Sequence, residues 1–172
     1  MPDNRLDIQI AIEDGAWPEE AVLEEKSARI LETAAAYLAG KCGQPFNEAP
    51  AELSLVFTND EEIRGINAEW RGQDKPTNVL SFPAFPLKPG GRPGPMLGDI
   101  ILAEETLRRE ALDLGKSFDD HLSHLLVHGF LHLFGYDHMS DEEATVMETL
   151  EIRILAELGL ENPYGDHDEL TN

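Results

Sequence analysis

Five of the six histidines fall within residues 121–138, in the run HLSHLLVHGFLHLFGYDH. On a helix turning about 100° per residue, His121, His124, His128 and His132 share a stripe about 80° wide. His128 and His132 are one turn apart, about 6 Å along the axis, so two imidazoles can converge on one ion at about 2.0–2.1 Å. Gly135 lets the chain reverse after the helix, and His138 can return as a third ligand. Three neutral nitrogen donors with a fourth position open make a catalytic zinc site rather than a closed structural one. Imidazole suits zinc and no thiolate is near, although nickel and copper compete for the same donors. The spacing therefore predicts one zinc ion per chain on His128, His132 and His138.

The remaining histidines are read more plainly. His121 and His124 are expected to be helix-face residues meeting solvent; extending the stripe into the pocket, or hydrogen-bonding to a ligand, are the alternatives. Asp137 either orients a ligand imidazole or caps the turn. His167 lies in an acidic tail and is incidental.

The same His spacing describes metzincin proteases, which need a glutamate after the first histidine to take a proton from water on the metal. This chain has Gly129 there. A glycine does no acid–base work, so amide hydrolysis by that route lacks its base.

The elements that must position these residues can be read from periodicity. Residues 6–13 and 52–57 alternate as half-buried strands do, and 78–82 and 99–103 are two further short strand segments. A helix begins near Pro18 and carries Leu23, Ile30, Ala34 and Leu38 to a stop at Gly40. Asn59 or Asp60 caps a short helix reaching Asn67, and residues 105–114 form another. Ser117 with Asp120 opens the histidine helix, which Gly135 ends, and Ser140 with Glu143 opens the last. That last helix has an apolar stripe of Ala144, Met147, Leu150, Ile154 and Leu158. Residues 83–97 hold five prolines and three glycines, so an exposed, poorly ordered loop is expected. Strands gathered in the first hundred residues, then helices, predict an α+β fold. The expectation is a single domain over residues 1–160, with residues 161–172 an acidic, frayed tail. A small mixed four-stranded sheet packs against several helices, and the metal-binding helix is central.

Composition narrows the function classes. The chain of 172 residues has 34 acidic and 13 basic side chains, a formal charge of −21. No apolar run reaches about 18 residues, so no membrane span is expected. The start lacks a signal-peptide pattern, and a single cysteine, Cys42, fits a reducing cytoplasm. Strong net charge favours a monomer. Taken whole, the acidity argues against nucleic acid. However, residues 71–116 carry seven basic against six acidic side chains, a net of +1. A divalent ion nearby would add two positive charges. The charge thus restricts where RNA can bind without excluding it, and predicts few phosphate contacts and reliance on partners.

The residues from His128 to His138, HGFLHLFGYDH, match the HGxLHLxGYDH motif of the YbeY family of bacterial endoribonucleases. A second block agrees: Ile66-Asn67, Trp70-Arg71, then PTNVLSFP over residues 76–83 and Gly98-Asp-Ile100. Together they span residues 54–138, and the chain resembles that family closely. Asn78 stands where the family often has Asp, which leaves no carboxylate at 78 to act as a base.

The resemblance implies a zinc-dependent endoribonuclease that cuts single-stranded RNA. It further implies work in ribosomal RNA processing, at the small-subunit 3′ end, and in ribosome quality control, with the ribosome or its associated proteins as partners. It implies His128, His132 and His138 as metal ligands and Arg71 as the functionally important arginine. Zinc brings the pKa of bound water to about 7, supplying a hydroxide that attacks the phosphodiester. The Arg71 guanidinium would pair with the phosphate oxygens as charge develops; a surface ion pair with Glu69 or Asp74 is its plainer alternative. Thr77, Asn78 and Ser81 either hydrogen-bond ribose and phosphate or serve the local turn and strand. Lys88 and Arg92 sit on the Pro/Gly loop, a connector or a cover for RNA. A zinc-containing ribosome-assembly factor without turnover is the alternative function.

Overall fold

The computed structural model describes residues 5–164. Among them the elements run β1 (Leu6–Ile12), α1 (Glu20–Lys41), β2 (Ala51–Thr58), α2 (Asp60–Arg71), β3 (Val79–Pro83), β4 (Met96–Ala103), α3 (Glu104–Leu114), α4 (Phe118–Leu133) and α5 (Asp141–Glu157). The expected α+β architecture is present. The sheet order is β1-β2-β4-β3, with β1, β2 and β4 parallel and β3 antiparallel to β4 at the edge. Three caps follow the side-chain chemistry: Asn59, Ser117 and Ser140 accept from the N–H of Glu62, Asp120 and Glu143.

The sheet buries both faces. On one, the apolar residues of β1, β2 and β4 meet Leu31, Leu107, Leu126, Phe130 and Phe134 in the main core. On the other, α2 brings Ile63 and Ile66 onto Leu80, Ile101 and Phe82. α4 touches β3 and β4 on one side and α1, α3 and α5 on the others. A helix so enclosed must be apolar nearly all round, and ten of its sixteen residues are buried, including His121 and Ser123. This corrects the expectation that His121 and His124 meet solvent. His121 retains 4% exposure, and the His124 side chain 13%, because α3 and α5 cover the histidine stripe.

The Pro/Gly loop is exposed over most of its length, as expected, but it is held in place rather than loose. It is pinned to residues 44–47: Gln44 Nε2 donates to the Gly91 carbonyl at 2.7 Å and Asn47 Nδ2 to the Pro93 carbonyl at 2.9 Å. Arg92 donates to the Phe46 carbonyl and to Asn47 Oδ1, both at 3.0 Å. Prolines remove donors but keep their carbonyls, and side chains from elsewhere satisfy them. Leu87 packs on the core, and β4 starts at Met96, three residues before the expected strand. At the other end, Tyr164 folds back against His124, ring centroids 5.4 Å apart. The rest of the expected tail, residues 165–172 with His167, lies outside the described residues.

Candidate metal centre

α4 carries His128 and His132 on its last two turns. It ends in a Schellman turn: Gly135 N–H donates to the His132 carbonyl at 3.0 Å and Tyr136 N–H to the Leu131 carbonyl at 3.2 Å. Gly135 has φ +94°, a left-handed conformation that glycine adopts without strain. A Cβ there would also collide with the Leu87 carbonyl of the Pro/Gly loop. That reversal brings His138 back beside the helix end. One nitrogen from each of His128, His132 and His138 lies within 4.8 Å of the others, a cluster that could hold a metal ion.

The donor chemistry suits a small cation. His128 Nε2 and His132 Nε2 face each other at 3.2 Å. Two imidazoles bound tetrahedrally to zinc at about 2.05 Å would have nitrogens about 3.3 Å apart. Burial, and then the neighbouring His128, push the His132 pKa down to about 4, so at neutral pH it offers a lone pair. A further observation fixes the tautomer of His128. Its Nδ1 is 2.6 Å from Glu151 Oε2, and an imidazole donating from Nδ1 keeps its lone pair on Nε2.

The cluster opens into a groove of about 630 Å³. Its opposite wall is β3 and the end of α2, and Arg71, Asn78 and Ser81 line it together with all three histidines. Arg71 is exposed in the last turn of α2. The ion pair offered as its alternative is taken: Asp74 accepts from Arg64 at 2.8 Å. Among the described residues no carboxylate is paired with Arg71. Asn78 and Ser81 are each held internally, Asn78 Nδ2 by Glu110 at 3.0 Å and Ser81 Oγ by the Gly129 carbonyl at 3.1 Å. Thr77 does not line the groove. Asp137 Oδ1 accepts the N–H of His138 at 2.8 Å, the turn-capping contact, and also lies 3.5 Å from His138 Nδ1 on the ring.

The family model for endoribonuclease YbeY matches residues 13–159. The chain belongs to the endoribonuclease YbeY family. It is 67% identical to endoribonuclease YbeY of Rhizobium meliloti over 161 residues, covering 94% of this chain and 96% of the relative. It is 64% identical to endoribonuclease YbeY of Sinorhizobium fredii over 165 residues, covering 96% and 95%. The solution structure of TM1509 from Thermotoga maritima superposes with a TM-score of 0.55 at 23% identity, over 93% of this chain and 97% of that one. That likeness supports the fold. Among the described residues, no helix is long and apolar enough to cross a membrane.

Within this YbeY fold, two carboxylates outside the histidine motif support the histidine stripe. Glu151 of α5 is fully buried and is 2.7 Å from His124 Nε2 as well as 2.6 Å from His128 Nδ1. Burial alone would raise its pKa, but the hydrogen bonds from His124 and His128 outweigh that and hold it at about 2. Glu110 of α3 plays a similar part beside His121 Nε2, at 2.8 Å, and Asn78. Its burial is likewise outweighed by the bonds from His121 and Asn78, which lower its pKa. The sequence did hold a signal for Glu151. It lies four residues after Met147 and three before Ile154, inside the apolar stripe of the last helix, where a carboxylate needs buried partners.

Proposed function

We propose that this family member is a zinc-dependent endoribonuclease that cuts single-stranded RNA, with His128, His132 and His138 holding one zinc ion and Arg71 as the catalytic arginine. The observation that carries the reading is the shared groove: a guanidinium with no carboxylate partner among the described residues and three convergent imidazoles line one concavity. Zinc bound there supplies Lewis acidity and activates water for attack at neutral pH. Arg71 presents a planar fork of donors that pairs with two phosphate oxygens, and charge building on them during attack strengthens that pairing. Asn78, already committed to Glu110, serves as a wall and not as a base. Val79, Pro83, Pro86, Leu87 and Met139 supply apolar surface to the groove, which limits water around the phosphate.

The rest of the proposal follows the family. The substrate is ribosomal RNA, in maturation of the small-subunit 3′ end and in ribosome quality control, with a cytoplasmic monomer acting beside the ribosome or its associated proteins. A chain with a formal charge of −21 suits an enzyme that partners bring to its substrate. Amide hydrolysis is disfavoured by packing as well as by chemistry. A Cβ on Gly129 would lie 2.9 Å from Ser81 Oγ and 3.0 Å from Ile100 Cγ2, so a glutamate there would drive into the sheet.

The test is incubation of metal-analysed protein with single-stranded and duplex RNA, beside Arg71→Ala and His128→Ala. Cleavage of the single strand by wild type, lost in both variants, is the expected result. Equal cleavage by all three would overturn the site assignment. Zinc-loaded wild type that leaves RNA intact would favour the assembly-factor reading.

A further inference from the structure

Glu151 has no exposure, and none of its partners among the described residues is a lysine or arginine. A carboxylate withdrawn from water without a cation needs several donors to remain charged. Three converge on it. His128 Nδ1 meets Oε2 at 2.6 Å, His124 Nε2 meets Oε1 at 2.7 Å, and the Tyr164 hydroxyl donates to Oε1. The three donors come from two different parts of the chain, α4 and the segment after α5. Tyr164 is additionally stacked edge-on against His124, at 82° between planes.

The arrangement has a direction. Glu151 Oε2 takes the Nδ1 proton of His128, which leaves Nε2 as the lone-pair atom facing His132 Nε2. A carboxylate held on Nδ1 also orients the ring and strengthens Nε2 as a donor to a cation. Oε1 in turn is fixed by His124 and Tyr164, so the carboxylate cannot rotate away from His128. The hydroxyl of Tyr164 therefore reaches the metal cluster through one intervening side chain.

We propose that Glu151 is the positioning residue for His128, and that Tyr164 locks Glu151, so that the segment following α5 is a working part of the metal centre. The inference rests on the reading of His128, His132 and His138 as metal ligands. It assigns the C-terminal segment a role in metal affinity that neither the groove nor the histidine motif contains.

The test is zinc affinity, measured at one pH by competition with a chromophoric chelator, for the full-length wild type, Glu151→Gln and Tyr164→Phe. Cobalt-substituted absorption spectra and melting of the metal-free proteins accompany it. Glu151→Gln should bind zinc about 10–100-fold more weakly, and its cobalt bands should shift. Tyr164→Phe, which keeps the ring on His124 and loses only the hydroxyl, should fall between it and wild type. A purely structural role predicts lower melting temperatures with unchanged zinc affinity and cobalt spectra, and that result overturns the proposal. If Glu151→Gln does not fold, Tyr164→Phe decides alone: wild-type affinity in that variant overturns the lock. Wild type that binds no zinc would sink the metal reading itself, whereas wild-type binding with unaffected variants sinks only this inference.

Discussion

His128 Nε2 and His132 Nε2 lie 3.2 Å apart, one helical turn from each other, with Glu151 behind His128 and the open groove in front. Two lone pairs aimed at one point repel until a cation or proton sits between them. Zinc should therefore stabilise the folded chain by mass action, by about 4 kcal/mol at a thousandfold excess over its dissociation constant. Differential scanning calorimetry with and without zinc checks this. The upward shift in Tm should vanish in His132→Ala, and a shift of equal size in that variant would place the metal elsewhere.

Gly129 is a packing residue, and its substitution should act on stability before chemistry. Its added Cβ would crowd Ser81 Oγ and Ile100 Cγ2, and overpacking of this kind costs about 1–3 kcal/mol. Gly129→Ala should melt lower by about 2–4 °C for each kcal/mol lost in a chain of this size. Zinc content per folded molecule should stay at one. An unchanged Tm would mean that α4 can draw back from β3 freely.

Arg71 is exposed and, among the described residues, free of any carboxylate partner, so Arg71→Ala should leave the unfolding free energy within about 0.5 kcal/mol of wild type. Its cleavage rate on single-stranded RNA should fall about 10²–10³-fold if the guanidinium meets charge that develops during attack. Arg71→Lys keeps the charge but loses the planar fork and should recover only part of the rate. A variant with raised KM and unchanged kcat would reassign Arg71 to simple binding.

Acid should unfold the metal-free protein partly through Glu151. Its folded pKa of about 2 lies below the ordinary value of 4.5, so the unfolded chain binds the extra proton. The stability it contributes is full above pH 4.5 and is lost as pH falls towards 2, on the order of 3 kcal/mol in all. His132 adds in the same direction at milder pH, because a pKa lowered from 6.5 to about 4 means stability is lost between those values. Denaturant melts of chelator-treated protein from pH 7 to pH 3 should show both segments. Glu151→Gln should flatten the lower one and leave the upper one in place.

Legibility in the sequence followed distance along the chain. The three histidines and Gly135 occupy eleven consecutive positions, so helical spacing and one reversal were enough to bring them together. The caps at Ser117 and Ser140 are equally local. What could not be read depends on which helices cover which. His121 and His124 lie in the same stripe as His128, yet their burial is set by α3 and α5 crossing α4, and no local pattern encodes that crossing. Glu151 reaches His128 across 23 residues, and the loop carbonyls of Gly91 and Pro93 are satisfied from 47 and 46 residues away. The loop's composition suggested looseness because its partners, Gln44 and Asn47, are remote. Arg71 was marked only by the family motif, since its place in the groove follows from the α2–β3 connection at the sheet edge.

On the proposed function, RNA cleavage belongs to one zinc ion on His128, His132 and His138. The most direct test is a titration: strip the protein of metal, add zinc in fractions of an equivalent, and measure the rate of single-stranded RNA cleavage at each step. The expected rate climbs linearly to one equivalent and then levels off, with His132→Ala flat throughout. Full cleavage by the stripped protein, or an equal climb in His132→Ala, would contradict it.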